Sequence, residues 1–255
     1  MTEREPHPRV LVTTGGASGI GLEVCRRWAA DEGVAILLDI DSDNLDAAVD
    51  LIGKNARGVV VNVRDSSSVD EAFSVITDEF GQIDALVNSA GNSCPSPTAE
   101  MSDGDWESVI DIHLNGTMRV CRAAYPLLKA AGGAIVNVSS VAGVLGMPQR
   151  ASYNSAKHAI GGLTKSLAVE WAAEGIRVNS VGPGYVLTTL TRKLIADGAL
   201  DTEPVTRRTP LGRWARPGEI ADGIGFLLSN QASFITGHTL MIDGGMTIDG
   251  NWYSD

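Results

Sequence analysis

The chain has 255 residues, 44% hydrophobic and 20% charged, with 20 Lys and Arg against 31 Asp and Glu for a formal net charge of −11 and a pI near 4.8. That length is enough for one domain burying roughly 70–75% of the surface its unfolded chain exposes, so no disulfide staples are needed. An acidic chain with no dense run of Lys or Arg lacks the basic footprint of a nucleic-acid or anionic-membrane binder, which argues against both as partners.

The first apolar run, "RVLVT" (9–13), reads as a strand that leads through a glycine-rich turn into a helical pattern at 19–31. "VAILLD" (34–39) and "GVVVNV" (58–63) are the second and third strands, followed by helices at 43–53 and 67–80. After the fourth strand, "IDALVN" (83–88), a small, polar, proline-containing loop fills 91–103, and one long helical pattern covers 104–130. "GAIVNVS" (133–139), a helix at 152–173 and "IRVNSV" (176–181) come next. Residues 183–216 gather Pro183, Gly184, Gly198, Pro204, Pro210 and Gly212 around a short helical piece. Excursions of that length are usually lids or binding segments. A helix at 217–229 and the strand "HTLMID" (238–243) close the pattern. Most strands are continuous Val/Ile/Leu runs, as expected when both faces are covered. The alternation predicts an α/β fold, a single doubly wound Rossmann-like domain over 1–255 with a seven-stranded parallel sheet and helices on both faces.

Cys25, Cys94 and Cys121 are odd in number and far apart, without a CxxC or Cys/His ligand spacing. No disulfide framework and no metal site is expected. "MTEREPHP" lacks a hydrophobic signal core, and no apolar stretch reaches the roughly 18 residues of a membrane span. The expectation is a cytoplasmic protein with reduced thiols.

Gly15, Gly19 and Gly21 stand at the first turn and the start of its helix. Such glycines let the backbone approach a pyrophosphate, whose charge is favoured by the free N–H groups of the helix N-terminus. The same glycines would also serve a plain tight turn. Asp39 closes the second strand 18 residues beyond Gly21, where an acid accepts hydrogen bonds from an adenosine ribose. Strand, glycines, helix, strand and acid in that order indicate dinucleotide binding. Asp39 would repel a 2′-phosphate, no Lys or Arg lies beside it in "LLDIDSD", and Ser18 in the turn is uncharged. NAD(H) is therefore favoured over NADP(H).

Tyr153 and Lys157 lie four residues apart at the start of a helix and share a face. A phenol with a pKa of about 10 is a poor base at neutral pH. A nearby ammonium and the positive nicotinamide of bound NAD+ would lower that pKa. Ser140, at the end of the fifth strand, is suited to hydrogen-bond a substrate oxygen as charge develops on it. Taken alone, the Tyr/Lys pair also reads as a helix tyrosine beside a surface lysine.

The pieces "TGGASGIG" (14–21), "NSAG" (88–91), "SS" with "YNSAK" (139–157), "RVNSVGPGYVLT" (177–188) and "ITGHTLMIDGG" (235–245) together resemble the short-chain dehydrogenases/reductases, in their compact branch of about 250 residues. The resemblance runs from Val10 to about Thr247. It implies a nicotinamide cofactor and a homotetramer built partly from the long helices and the last strand. It also implies roles: Ser140 polarises substrate, Tyr153 is the general acid/base, and Lys157 holds the nicotinamide ribose and lowers the tyrosine's pKa. Ser18 and Ile20 would join the three glycines on the cofactor, with Ile40 beside Asp39. Asn62 and Val63 would meet the adenine, and Asn88, Ala90 and Gly91 would line the ribose. Pro183, Gly184, Val186 and Thr188 would hold the carboxamide and phosphates.

Three positions depart from the family pattern. Asn62 stands where Asp is usual, "NSAG" replaces "NNAG", and "IHLNG" (112–116) puts His113 where the family has the Asn of a proton relay. Histidine can donate or accept, so it could hold the relay water. A core histidine satisfied by the backbone, or Asn115 as a shifted substitute, are the alternatives. His158 should point away from the Tyr/Lys face, and Cys94 reads as a small loop residue. Trp214 and Arg213 are expected behind the cofactor, and Trp252 and Tyr253 are expected to dock on a neighbouring subunit. The expected activity is NAD(H)-dependent interconversion of a secondary alcohol and a ketone, leaning toward a polyol or sugar. A 3-oxoacyl-[acyl-carrier-protein] reductase, a hydroxysteroid dehydrogenase and a cofactor-binding sensor remain open.

Overall fold

Strand β1 (Val10–Thr14) is buried at every residue, because it lies inside a parallel sheet covered on both faces. The structure, a computed structural model, describes residues 8–198 and 200–250. The other strands are β2 (Val34–Asp39), β3 (Ala56–Val60), β4 (Ala85–Asn88), β5 (Ala134–Val138), β6 (Arg177–Pro183) and β7 (Thr239–Ile242). They form one seven-stranded sheet in the order β3-β2-β1-β4-β5-β6-β7, parallel throughout. The helices are α1 (Gly19–Ala30), α2 (Ser42–Ile52), α3 (Ser66–Phe80), α4 (Asp103–Ile110), α5 (Gly116–Ala131), α6 (Ala151–Trp171), α7 (Thr189–Ala196), α8 (Glu203–Arg208) and α9 (Pro217–Leu228). This is the doubly wound α/β sheet that the strand–helix alternation predicts.

Successive strand side chains point to opposite faces and so divide into two cores. Val10, Val12, Ile36 and Leu38 pack with Val69, Phe73 and Ile76 of α3 and Val120 and Leu128 of α5. Leu11, Ala35 and Leu37 pack with Val24 of α1, Leu45 of α2, and Ile220 and Ile224 of α9. Both faces being covered is why the strands read as unbroken apolar runs. Each large aliphatic side chain buried in this way contributes roughly 1.5–3 kcal/mol.

The structure differs from the sequence expectation in three places. β3 runs Ala56–Val60, where the apolar run predicts 58–63. At the sheet edge Arg57 and Gly58 still pair with Ile36 and Leu37, while the Asn62 N–H leaves the ladder and donates to the Ser68 hydroxyl at 3.0 Å. The single helix predicted over 104–130 is interrupted by a π turn, Asp111–Asn115, between α4 and α5. The carbonyl of His113 in that turn accepts a hydrogen bond from the Thr117 hydroxyl at 2.7 Å. Residues 183–216 hold two short helices, α7 and α8, where one is expected.

The chain winds from β1 to β2 and β3 on one side and from β4 to β5 and β6 on the other. Between the C-terminal ends of β1 and β4 the winding reverses, and the connecting loops part there to leave a crevice. In open α/β sheets this is where ligands bind. Among the described residues no helix is long and apolar enough to cross a membrane. Trp252, Tyr253 and His7 lie outside the described residues.

Candidate active site

The turn after β1 enters the crevice at Gly15 (φ 64°) and Gly19 (φ 54°), left-handed conformations that favour glycine. A Cβ on Gly15 would stand 2.9 Å from the Ala90 nitrogen, so this turn and the loop after β4 meet backbone to backbone. A Cβ on Gly21 would overlap the Gly15 carbonyl oxygen. Asp39 ties the end of β2 to the same turn: Oδ2 accepts from the Ala17 N–H at 3.1 Å and Oδ1 from the Asp41 N–H at 3.3 Å.

Across the crevice, Ser140 follows β5 and caps a 3-10 turn, its Oγ accepting the Ala142 N–H at 3.1 Å. α6 is pinned to the end of β5 twice. The Ser139 hydroxyl donates to the Lys157 carbonyl at 3.0 Å, and Lys157 Nζ donates to the Val138 carbonyl at 2.7 Å. Lys157 is buried, which pushes its pKa down to about 7, and Nζ lies 5.5 Å from the centroid of the Tyr153 ring.

Burial raises the pKa of the Tyr153 phenol, while a hydrogen bond with Ser140 and the charge of Arg150 oppose the rise. Removal from water dominates, and the opposing influences come from the serine and the arginine.

His113 is 4% exposed, and its ring packs edge-on against Tyr153 with centroids 5.3 Å apart. Nε2 lies 2.8 Å from the Asn92 carbonyl oxygen and 3.1 Å from the Asn92 nitrogen. Nδ1 is buried with no hydrogen-bond partner among the described residues. Burial, and then the charge of Lys157, push the His113 pKa down to about 3, so the ring is neutral near pH 7. The loop leaves room for it at Gly91, where a Cβ would overlap Cε1 of the imidazole. Asn115 does not substitute for it, because its amide donates to Asp111 at 3.1 Å.

These groups share one cleft of about 830 Å³. It is lined by Gly15, Ser18, Gly19, Ile20, Asp39, Ile40, Asn62, Val63, Ala90, Gly91, His113, Ser140, Tyr153, Lys157, Pro183, Gly184, Val186 and Thr188. Two expected cofactor residues stand behind its wall. Gly21 is packed under Gly15. Asn88 directs its amide at Asn137 Oδ1 (2.9 Å) and Cys121 Sγ (3.2 Å), which joins β4 to β5 instead of facing a ribose. Cys94 does not line the cleft, and His158 is exposed, its Nδ1 2.9 Å from the Asn154 carbonyl. Trp214 lines the cleft itself, its ring 5.1 Å from that of Tyr185.

Arg64 also lines the cleft, as do Met147 and Arg150 from the segment before α6 and Tyr185 and Leu194 from the 183–216 excursion. Tyr185 lies within "RVNSVGPGYVLT" and Leu194 on α7, and folding brings both to the cleft beside Arg64, Met147 and Arg150. The glycine turn, the acid at the end of β2 and the volume of the cleft fit a dinucleotide, with Ser140, Tyr153 and Lys157 across β1 and β4 from Asp39.

A sequence profile described as "Enoyl-(Acyl carrier protein) reductase" matches residues 15–247. The chain is 40% identical over 247 residues to an uncharacterized short-chain type dehydrogenase/reductase of Sinorhizobium fredii, covering 96% of this chain and 45% of that one. This chain belongs to the short-chain dehydrogenase/reductase family.

Family members of its own size agree. The 3-oxoacyl-[acyl-carrier-protein] reductase of Thermotoga maritima is 38% identical over 94% of this chain and 98% of that one. The D-threitol dehydrogenase of Mycolicibacterium smegmatis is 38% identical over 94% and 93%. Among solved short-chain dehydrogenase/reductase folds, an actinorhodin polyketide ketoreductase variant with NADPH superposes with a TM-score of 0.89 at 29% identity, over 95% of this chain and 98% of that one. Members of this family are oxidoreductases that bind a nicotinamide cofactor and act on CH–OH and C=O groups.

Proposed function

We propose that this protein is an NAD(H)-dependent oxidoreductase that interconverts a small secondary alcohol and its ketone, with Tyr153 as general acid/base. The observation that carries the reading is the meeting of Ser140, Tyr153 and Lys157 in one cleft, with Lys157 Nζ 5.5 Å from the centroid of the Tyr153 ring.

Bound NAD+ supplies a hydride acceptor and a positive ring charge. Tyr153 Oη takes the alcohol proton in oxidation and returns it in reduction. Ser140 Oγ already accepts the Ala142 N–H, so its own proton is free to be donated to the substrate oxygen or to the phenol. Lys157 spends one N–H on Val138 and keeps two for the ribose hydroxyls. His113 offers Nδ1 to a water that completes a proton path on the Lys157 side, the role an asparagine amide has elsewhere in the family.

The choice of NAD(H) rests on Asp39, whose carboxylate is fixed against the glycine turn and would repel a 2′-phosphate. Arg64, the cation nearest in sequence to the expected adenine contacts, is paired with Asp111 at 3.3 Å. The D-threitol dehydrogenase relative supports the lean toward a small alcohol. The Thermotoga relative favours a second reading, reduction of a 3-oxoacyl thioester. The same reading keeps the protein in the cytoplasm as a homotetramer, supported by exposed Val169 on α6 and Phe234 ahead of β7.

The test is NADH formation with a panel of secondary alcohols, beside NADPH- and NADH-driven reduction of a 3-oxoacyl thioester. Alcohol-dependent NADH formation that disappears in Tyr153→Phe is expected. NADPH-driven thioester reduction alone would favour the second reading. Tight NADH binding with no turnover would mean a sensor.

A further inference from the structure

The geometry points to Arg150 as the residue that selects substrate charge: the alcohol or ketone bound here carries a carboxylate, as in a short hydroxy acid or keto acid. The inference rests on the alcohol–ketone reading of the site and narrows its substrate class.

Arg150 is the half-buried residue before the first turn of α6, three positions ahead of Tyr153, and it lines the cleft. It is held there by two links between the loop after β4 and the segment before α6. The guanidinium donates to the Ser93 hydroxyl, and the Ser96 N–H donates to the Gln149 carbonyl at 3.0 Å. Gln149 itself takes a left-handed φ of 60°, which turns the chain so that Arg150 faces inward at the helix start.

A guanidinium has five N–H donors. One of them meets neutral Ser93, and among the described residues no carboxylate pairs with Arg150. The other cleft arginine, Arg64, is by contrast paired with Asp111. Asp39 is the one carboxylate among the cleft-lining residues described, and it lies at the end of β2, across β1 and β4 from the reacting end. A planar cation with free donors, close enough to Tyr153 for its charge to be felt there, matches a carboxylate a few bonds from the reacting carbon. An uncharged polyol would leave those donors to water.

The test compares short hydroxy acids with their uncharged hydroxy amides, using NAD+ and the full chain, in wild type, Arg150→Gln and Arg150→Lys. Wild type should prefer the acid in kcat/KM. In Arg150→Gln that preference should fall by about tenfold or more, mainly through the KM of the acid, since a charge-assisted hydrogen bond is lost. Arg150→Lys should restore part of it. A general disturbance of Tyr153 would slow acid and amide alike and leave their ratio unmoved. Equal turnover of acid and amide by wild type, or a ratio unchanged in Arg150→Gln, overturns the inference while leaving the alcohol–ketone reading intact. Turnover of neither class by wild type, with either nicotinamide cofactor, overturns both.

Discussion

Nε2 of His113 lies 2.8 Å from the carbonyl oxygen of Asn92 and 3.1 Å from the amide nitrogen of the same residue. One ring nitrogen cannot donate and accept at once, so the two contacts correspond to two neutral tautomers. The shorter contact suits Nε2–H donating to the carbonyl, which leaves the Nδ1 lone pair free. His113→Asn keeps a polar group on this face and should hold kcat within about tenfold of wild type. His113→Leu leaves the Asn92 backbone and any relay water without a partner, and should lower kcat by about tenfold or more. Steady-state kinetics on one alcohol decide it. Near-normal turnover in the leucine variant would reduce His113 to a packing residue.

The same burial has a consequence for stability. The folded-state pKa of His113 is depressed from 6.5 to about 3, so between those values the unfolded chain binds a proton that the folded chain refuses. Stability from this group is present above pH 6.5 and lost as pH falls toward 3. Urea unfolding of wild type and His113→Gln at about pH 7 and about pH 4 should show wild type losing more stability on acidification. Parallel losses in the two proteins would mean that the ring protonates inside the fold.

Much of this arrangement is legible in the sequence, for physical reasons. β1, β2 and β5 are covered on both faces, so their composition announces them. Asp39, Tyr153 and Lys157 sit at spacings set by one βαβ unit and one helix turn. What escapes is the part assembled from contacts between segments with no periodicity. The π turn around His113 inserts one residue's worth of slack into a helical pattern that otherwise looks continuous. Asn88 carries a family motif, yet its amide is turned inward by Asn137, a partner 49 residues away. Arg150 and Ser93 are 57 residues apart and acquire meaning only when two loops close on one another.

Cofactor choice gives a third expectation. Asp39 Oδ2 accepts the Ala17 N–H, so the carboxylate braces the glycine turn as well as standing at the ribose position. Asp39→Ser removes the charge that excludes a 2′-phosphate. The ratio of NADH to NADPH affinity should fall by about tenfold or more, with some loss of NADH affinity itself as the turn loosens. Fluorescence titration with both reduced cofactors measures it. Wild type that binds NADPH more tightly than NADH would overturn the role given to Asp39.

The fourth expectation concerns the pH dependence of the chemical step. Tyr153 must be ionised to accept a proton from the alcohol, and burial raises its pKa while Ser140 and Arg150 hold it back. The rate of alcohol oxidation should therefore climb with pH into the alkaline range, and ketone reduction should decline there as the phenol loses the proton it must donate. Ser140→Ala and Arg150→Gln each remove an influence that favours the phenolate, so each should move the alkaline limb to higher pH. An uncharged alcohol is the right substrate for this comparison, because it keeps substrate binding separate from the titration of the phenol. A limb that stays in place in both variants would show that Tyr153 is not the group being titrated.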